Sequence, residues 1–119
     1  MIKVLLVAKR RPGLTEDEFI TYWQQIHAPL AAQIPGVRRY VINAVMPDAS
    51  LTTSICDGVA EVWFDSLAAL QEGLTSKAGQ TAAADIPNFC APASGTVVAE
   101  EVEGEDQAAP SSSEGATFR

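Results

Sequence analysis

The first strand-like segment, residues 2–9 with the sequence IKVLLVAK, is apolar on both of its faces. Val4 and Leu6 alternate with Leu5 and Val7, whereas a strand that buries only one face alternates apolar with polar residues. Strands that are apolar throughout are typical of sheets covered on both sides. The segment therefore predicts a sheet with helices on one face and a second layer on the other.

Three further segments show the alternation of a strand. They are residues 37–46, 58–64 and 96–102. With helices after the first and third strands, the order is β-α-β-β-α-β, which is the ferredoxin-like α+β pattern of a four-stranded antiparallel sheet with helices on one face. The second face of such a sheet would be bare and apolar, and this predicts a homodimer in which two sheets pack face to face.

The helices are marked by their capping residues. Thr15 and Glu18 form a T-x-x-E capping box at the start of the first helix. The second helical region is predicted in two parts, residues 67–73 and a segment that starts at residue 75 or 76 and runs to Pro87.

The only histidine of the chain, His27, shares the apolar face of the first helix with Trp23. Pro29 lacks an amide donor and disfavours helical angles at Ala28, so the helix is expected to break or kink near His27. Imidazole titrates near neutral pH, which makes His27 a candidate general acid and base, and burial beside Trp23 favours its neutral form. The alternative is a structural histidine bonded to a backbone carbonyl.

Tyr40 shares a strand face with Ile42, which suits the helix side of the sheet and therefore the side of His27. Its hydroxyl is interpreted either as a core group with a hydrogen-bond partner or as an acid or oxyanion donor beside His27. On the opposite strand face, Glu61 and Arg39 are expected to form an ion pair with a structural role.

The composition limits the classes of function. A domain of residues 1–102 is expected to carry the core, and residues 103–119 are expected to form a disordered tail, since they have few large apolar residues. No basic face suggests nucleic-acid binding, and no apolar run approaches the roughly 18 residues of a membrane span. The N-terminus lacks the order of a signal peptide, so a cytoplasmic location is expected.

Neither a metal site nor a bound cofactor is expected. Cys56 and Cys90 do not have the spacing of metal ligands and are interpreted as reduced thiols. With one histidine, no Ser-His-Asp set and no metal cluster can be built at these spacings. Asp85 and Asn88 are interpreted as helix-end and turn residues.

Three motifs in the right order resemble the EthD family, named after a protein associated with ethyl tert-butyl ether degradation. They are F-x-x-Y-W-x-x-x-H-A-P-L at residues 19–30, P-G-V-R-R-Y at residues 35–40 and D-G-V-A-E-V-W-F-D-S at residues 57–66. Residues 85–89 are similar to the short motif that precedes the last strand of the family. The resemblance covers about residues 1–102 and implies a dimeric α+β barrel.

The resemblance does not imply a single reaction. Relatives include proteins of unknown role beside ether-degrading oxygenases, methylmuconolactone methylisomerases, and dehydratases or cyclases of aromatic polyketide pathways. His27 and Tyr40 lie where the methylisomerases keep a functional histidine and tyrosine. Their cysteine on the third strand is replaced here by Val62, so the resemblance does not extend to an identical lactone isomerisation.

Two classes of function follow as hypotheses. The first is a cofactor-independent lyase or isomerase that acts on a small aromatic or oxygenated metabolite, with His27 and Tyr40 as catalytic residues. Candidate substrate-binding residues are Trp23, Ile42, Phe64 and Phe89. The second is a non-catalytic binding protein that holds a small molecule for a partner oxygenase. As a lone histidine, His27 also fits axial ligation of haem, which occurs in the wider barrel superfamily.

Overall fold

The computed structural model describes residues 1–46, 50 and 55–104. Its elements are, in chain order, β1 (Ile2–Ala8), α1 (Glu16–Tyr22), a π-helical turn (Trp23–His27), α2 (Ala28–Ala31), β2 (Arg39–Ala44), β3 (Gly58–Phe64), α3 (Leu67–Thr75), α4 (Lys77–Asp85), a 3-10 turn (Ile86–Asn88) and β4 (Gly95–Glu100). The strands form an antiparallel sheet in the order β2-β3-β1-β4. The predicted ferredoxin-like fold is therefore confirmed, and most of the predicted tail, residues 105–119, lies outside the described residues.

The strands β2 and β4 are shorter than predicted, whereas α3 runs two residues past Gly73 to Thr75. Ser76 separates α3 from α4, because its N–H bonds back to α3 and its hydroxyl accepts the N–H of Gly79. Gly73 is therefore a packing residue rather than a helix terminator. A Cβ there would lie 2.5 Å from the carbonyl oxygen of Pro35.

The capping box of α1 forms as predicted. The hydroxyl of Thr15 accepts the N–H of Glu18 at 3.1 Å, and the carboxylate of Glu18 accepts the N–H of Thr15 at 2.8 Å. Both bonds satisfy amides that a helix start otherwise leaves unpaired.

Of the two outcomes predicted near His27, a break and a kink, the break does not occur. Ala28 keeps helical angles, φ −58° and ψ −40°, and donates its N–H to the carbonyl of Trp23 five residues earlier. The helix thus widens into a π-helical turn just before Pro29. Pro29 then lies in the first turn of α2, where a missing amide donor is tolerated.

The helices cover one face of the sheet with two apolar clusters. Phe19, Trp23 and Phe89 dominate the cluster under α1, and Phe64 dominates the cluster under α3 and α4. All four side chains are fully buried. Burial of each aromatic side chain contributes about 2–3 kcal/mol to the free energy of folding, so these residues anchor the helices on the sheet.

The opposite face of the sheet carries apolar residues that no helix covers in the described part of the chain. They are Leu5, Val7, Val41, Val59 and Val97. Val97 is 51% exposed. In the same described residues, no helix is both long and apolar enough to cross a membrane.

Charged residues cluster at one end of this open face. Glu61 pairs with Lys3 at 2.9 Å, so the predicted pairing of Glu61 with Arg39 was wrong. Both cations lie diagonally across from Glu61 in the strand register. Both cations lie over the ring of Trp63, with Arg39 4.9 Å and Lys3 5.0 Å from its centroid, and Lys3 also reaches the carboxylate of Glu61.

Candidate active site

A cavity of about 270 Å³ lies between the helices and the sheet. Its inner wall is formed by buried residues such as Leu6, Ala60 and Phe64. Thr96 and Val98 of β4 line its outer part and are exposed. Because β4 is an edge strand, we infer that the cavity opens to solvent beside it.

The wall of this cavity is almost entirely apolar. Of the described lining residues, His27, Tyr40 and Thr96 are the ones with a polar side chain. His27 is 3% exposed and lies on the π-helical turn, which directs it toward the sheet. The site therefore presents few polar groups in apolar surroundings, as small-molecule sites commonly do.

The imidazole of His27 is held by a buried carboxylate. Its Nδ1 lies 2.9 Å from Oδ2 of Asp85. The other oxygen of Asp85 accepts the hydroxyl of Tyr22 at 2.6 Å and the side-chain amide of Asn88 at 3.0 Å. Phe89 packs against the imidazole with 4.8 Å between ring centroids. Together these contacts fix the orientation of the ring.

Burial and this network set the protonation state of the pair. Burial lowers the pKa of His27 below its ordinary value of 6.5. This effect outweighs the hydrogen bond that His27 makes to Asp85, which raises the same pKa. Burial raises the pKa of Asp85, but the hydrogen bonds from Tyr22, Asn88 and His27 together hold that pKa below its usual range. The network thus assigns a neutral imidazole that donates Nδ1–H to an ionised carboxylate.

The second ring nitrogen of His27 is left for the cavity. Nε2 has no hydrogen-bond partner in the part of the chain that the structure describes. In the neutral tautomer with a proton on Nδ1, Nε2 carries a lone pair and can accept a proton. The geometry is that of a general base supported by a carboxylate.

The hydroxyl of Tyr40 is a hydrogen-bond donor in the same cavity as this base. Its hydroxyl accepts the indole N–H of Trp23 at 2.9 Å, and its own proton has no acceptor among the described residues. Burial raises the pKa of Tyr40, so the hydroxyl stays protonated near neutral pH. A proton acceptor and a proton donor therefore line the same cavity.

The other predicted site residues are divided between the wall and the layer behind it. Phe64 lines the cavity. Trp23 and Phe89 are fully buried, behind Tyr40 and His27 respectively, and Ile42 packs at the edge of the Trp23 cluster. Trp23, Phe89 and Ile42 therefore lie outside the lining of the cavity, in the layer behind it.

Asp85 was interpreted from the sequence as a helix-end residue, and this interpretation missed its contact with His27. The two residues are 58 positions apart, so no local spacing links them. One signal was present in α4. Gly79, Ala82 and Asp85 recur every third residue and all three are buried, so Asp85 falls on the inner face of the helix.

The cavity contains no thiol among its described lining residues. Val62, at the position of the methylisomerase cysteine, is part of the wall. Cys56 and Cys90 are buried and free elsewhere. Burial raises the pKa of Cys90 to about 11, so this thiol is not poised as a nucleophile.

A set of metal ligands is not assembled at this site, since no three His, Cys, Asp or Glu side chains converge in the described residues. Haem needs only one axial ligand from the protein, and Nε2 of His27 could supply it. The cavity is about 270 Å³, and no described Lys or Arg lines it to pair with a propionate. These features favour a small uncharged ligand over haem.

Comparison with known families matches the EthD domain to residues 11–93, which include His27, Tyr40 and Asp85. The chain belongs to the EthD family. The predicted resemblance is thus confirmed. A comparison with curated proteins finds no match.

Solved structures share the fold of this EthD protein. An EthD family protein from Bacillus halodurans is 22% identical, with a TM-score of 0.72 over 86% of this chain and 100% of that chain. A dimeric ferredoxin-like protein of unknown function from Thermobifida fusca is 18% identical, with a TM-score of 0.62 over 82% and 87%. SnoaB, a cofactor-independent oxygenase from Streptomyces nogalater, is 13% identical, with a TM-score of 0.64 over 87% and 94%.

Proposed function

We propose that this EthD protein is an enzyme that moves a proton within a small, oxygen-bearing apolar or aromatic ligand and needs no bound cofactor. His27 is the general base and acid, Asp85 is its positioning residue, and Tyr40 is the donor to the ligand oxygen. The proposal rests on one observation above all. A buried histidine is held at Nδ1 by a carboxylate, and its Nε2 is left for an apolar cavity that a tyrosine also lines.

The reaction begins with removal of a proton from carbon. Nε2 of His27 takes a proton from a carbon next to a ligand carbonyl, and the electron pair of the broken C–H bond forms a C=C bond. The carbonyl oxygen gains the negative charge, which the Tyr40 hydroxyl stabilises by donating a hydrogen bond. The imidazolium formed at His27 is stabilised by Asp85, as a carboxylate does for other catalytic histidines.

The second half of the reaction returns the proton. Delivery of the proton from Nε2 of His27 to a more distant carbon of a conjugated enolate gives an isomerase. In a cyclase, the enolate carbon instead bonds to a second carbonyl carbon of the ligand, and the oxygen of that carbonyl, which receives the electron pair of its C=O bond, takes the proton from Nε2. Delivery to a departing hydroxyl gives a lyase, with loss of water as the enolate collapses. General acid–base catalysis of this type contributes roughly 10²–10⁴-fold to a rate. SnoaB, which acts without a cofactor in the same fold, supports a cofactor-free site here.

The pH dependence of proton exchange tests this proposal. In D₂O buffers free of imidazole, the protein should accelerate exchange of the α-protons of 2-tetralone, an uncharged bicyclic ketone, as followed by NMR. Because the neutral imidazole is the base and the pKa of His27 is lowered, the rate should be level at and above pH 7. It should fall only as pH drops through a value below 6.5.

Two results would contradict the proposal. One is the absence of acceleration over buffer at every pH, and tight ligand binding without exchange would then favour the accessory binding protein. The other is an acid limb that persists unchanged when His27 is replaced by glutamine, because the titrating group would then be another residue.

We also propose that the protein is a homodimer joined through the open face of the sheet. The exposed apolar residues of this face support the proposal, and the Thermobifida fusca protein of the same fold is dimeric. Light scattering at micromolar concentration should give twice the mass of the 119-residue chain. Val97→Glu should lower that mass, whereas Ile26→Glu, at an equally exposed helix position, should not. A monomeric mass for the unsubstituted protein would refute the dimer.

A further inference from the structure

The cavity offers no cationic partner for an anionic ligand. We propose that the site takes uncharged ligands, such as ketones and phenols, and excludes the corresponding carboxylates. The inference rests on the proposed function, since it names the substrate class of the same site. It follows from the distribution of charge around the cavity and from the count of hydrogen-bond donors within it.

The cations close in sequence to the lining residues Val4 and Tyr40 are engaged elsewhere. Lys3 and Arg39 are on the opposite face of the sheet, around Glu61 and Trp63. Arg38 is committed to Asp65 at 2.6 Å on the surface. No described Lys or Arg lines the cavity, so a carboxylate that entered would lose its hydration without gaining a counter-ion.

The nearest fixed charge has the wrong sign for an anion. The carboxylate of Asp85 lies 2.9 Å from the imidazole of His27, directly behind the group that a ligand would meet. Asp85 is itself 8% exposed, so water screens it little. A ligand carboxylate at Nε2 of His27 would therefore be repelled by a second carboxylate across the width of one ring.

The donors of the cavity suit one uncharged oxygen. In the inner part of the cavity, Tyr40 can donate a single hydrogen bond and neutral His27 presents an acceptor at Nε2, whereas the hydroxyl of Thr96 lies in the outer part. A phenol can donate to His27 and accept from Tyr40, and a ketone can accept from Tyr40 with its C–H toward His27. A carboxylate has about four lone-pair sites and no proton to give, so most of its acceptors would remain unpaired.

The layout of the cavity also favours one orientation of an uncharged ligand. The polar pair lies against the helix and the second strand, whereas Val98 and Thr96 line the outer part, beside the edge strand β4. The strand order places Val4 of β1 and Val62 of β3 between that edge and Tyr40 of β2. We therefore expect the ligand to bind with its oxygen toward Tyr40 and His27 and with its apolar body in the rest of the cavity.

A matched pair of probes tests the inference on the full-length protein. At pH 7, 2-naphthol is uncharged and 2-naphthoate is ionised, and the two have the same ring system. Titration calorimetry should show 2-naphthol binding at least a hundredfold more tightly than 2-naphthoate. Val98→Lys places a cation at the outer part of the cavity and should improve 2-naphthoate binding at least tenfold, whereas Val98→Gln should not.

Equal affinity for the two probes would overturn the inference, and so would failure of 2-naphthol to bind. A 2-naphthoate affinity that Val98→Lys and Val98→Gln change equally would also overturn it, since charge would not be the cause. Proton exchange of 2-tetralone separates this failure from failure of the proposed function. If exchange requires His27 while both probes bind equally well, the proposed charge selection is wrong and the proposed chemistry stands. If 2-naphthol binds more tightly while exchange does not depend on His27, the charge selection stands and the proposed chemistry is wrong.

Discussion

Replacing His27 by glutamine should lower the α-proton exchange of 2-tetralone by about 10²–10⁴-fold, the usual contribution of a positioned general base. Glutamine is of similar size and can still donate to Asp85, but its side chain takes up no proton near neutral pH. The fold should persist because the buried hydrogen bond to Asp85 is replaced. Exchange rates at pH 7 and thermal unfolding of both proteins measure the two effects. Full exchange in a folded His27→Gln protein would exclude His27 as the base.

Asp85→Asn provides the companion measurement. An asparagine amide can donate to Nδ1 of His27 and thereby favour the tautomer that carries its proton on Nε2, toward the cavity. Exchange should fall markedly, and its acid limb should move to lower pH because the imidazolium loses its carboxylate partner. A merely structural Asp85 would change stability and leave the acid limb in place. An unchanged pH profile would therefore remove Asp85 from the positioning role.

Replacing Trp23 by alanine should destabilise the protein by about 3–5 kcal/mol, the typical cost of truncating a fully buried aromatic residue. Trp23 is 0% exposed and contacts both Phe19 and Phe89. Its indole N–H also holds the hydroxyl of Tyr40. Trp23→Phe keeps part of the packing and should cost less, since it loses chiefly this hydrogen bond and some volume.

Urea unfolding measures the loss, with all variants at one protomer concentration because dissociation of a dimer would contribute to the apparent stability. Ile26→Ala, at a 49% exposed position of the same helical segment, serves as the control and should stay within about 1 kcal/mol of the unsubstituted protein. A cost below about 1 kcal/mol for Trp23→Ala would contradict the core role, and Trp23 would then be better described as a pocket wall.

Local rules predicted most of the fold. The capping box at Thr15 and Glu18 depends on residues three apart, and the alternation within β3 depends on neighbours, so both could be derived from short stretches of sequence. The ion-pair partner of Glu61 was harder to predict, because Lys3 and Arg39 are equivalent diagonal neighbours of Glu61 in the strand register. Both cations also lie over Trp63, so no local signature distinguishes the one that pairs with Glu61.

The candidate site could be predicted only in part. His27 and Tyr40 were identified by residue type and by the face that each occupies, and the structure brings both to one cavity. The partner of His27 was not identified, since Asp85 reaches it through packing of α4 against the first helix over 58 positions. The π-helical turn that precedes Pro29 was also not predicted, because local conformational preferences do not predict such a turn.

The π-helical turn from Trp23 to His27 accommodates one more residue than a regular α-helical turn would between these two side chains. Gln24 and Gln25 within it are exposed, so many side chains should be tolerated at both positions. Deleting either residue would leave Trp23 and His27 three positions apart, a spacing that keeps both side chains on one face of a regular α-helix. We therefore expect relatives to differ by one residue in the length of this segment while both side chains still face the sheet.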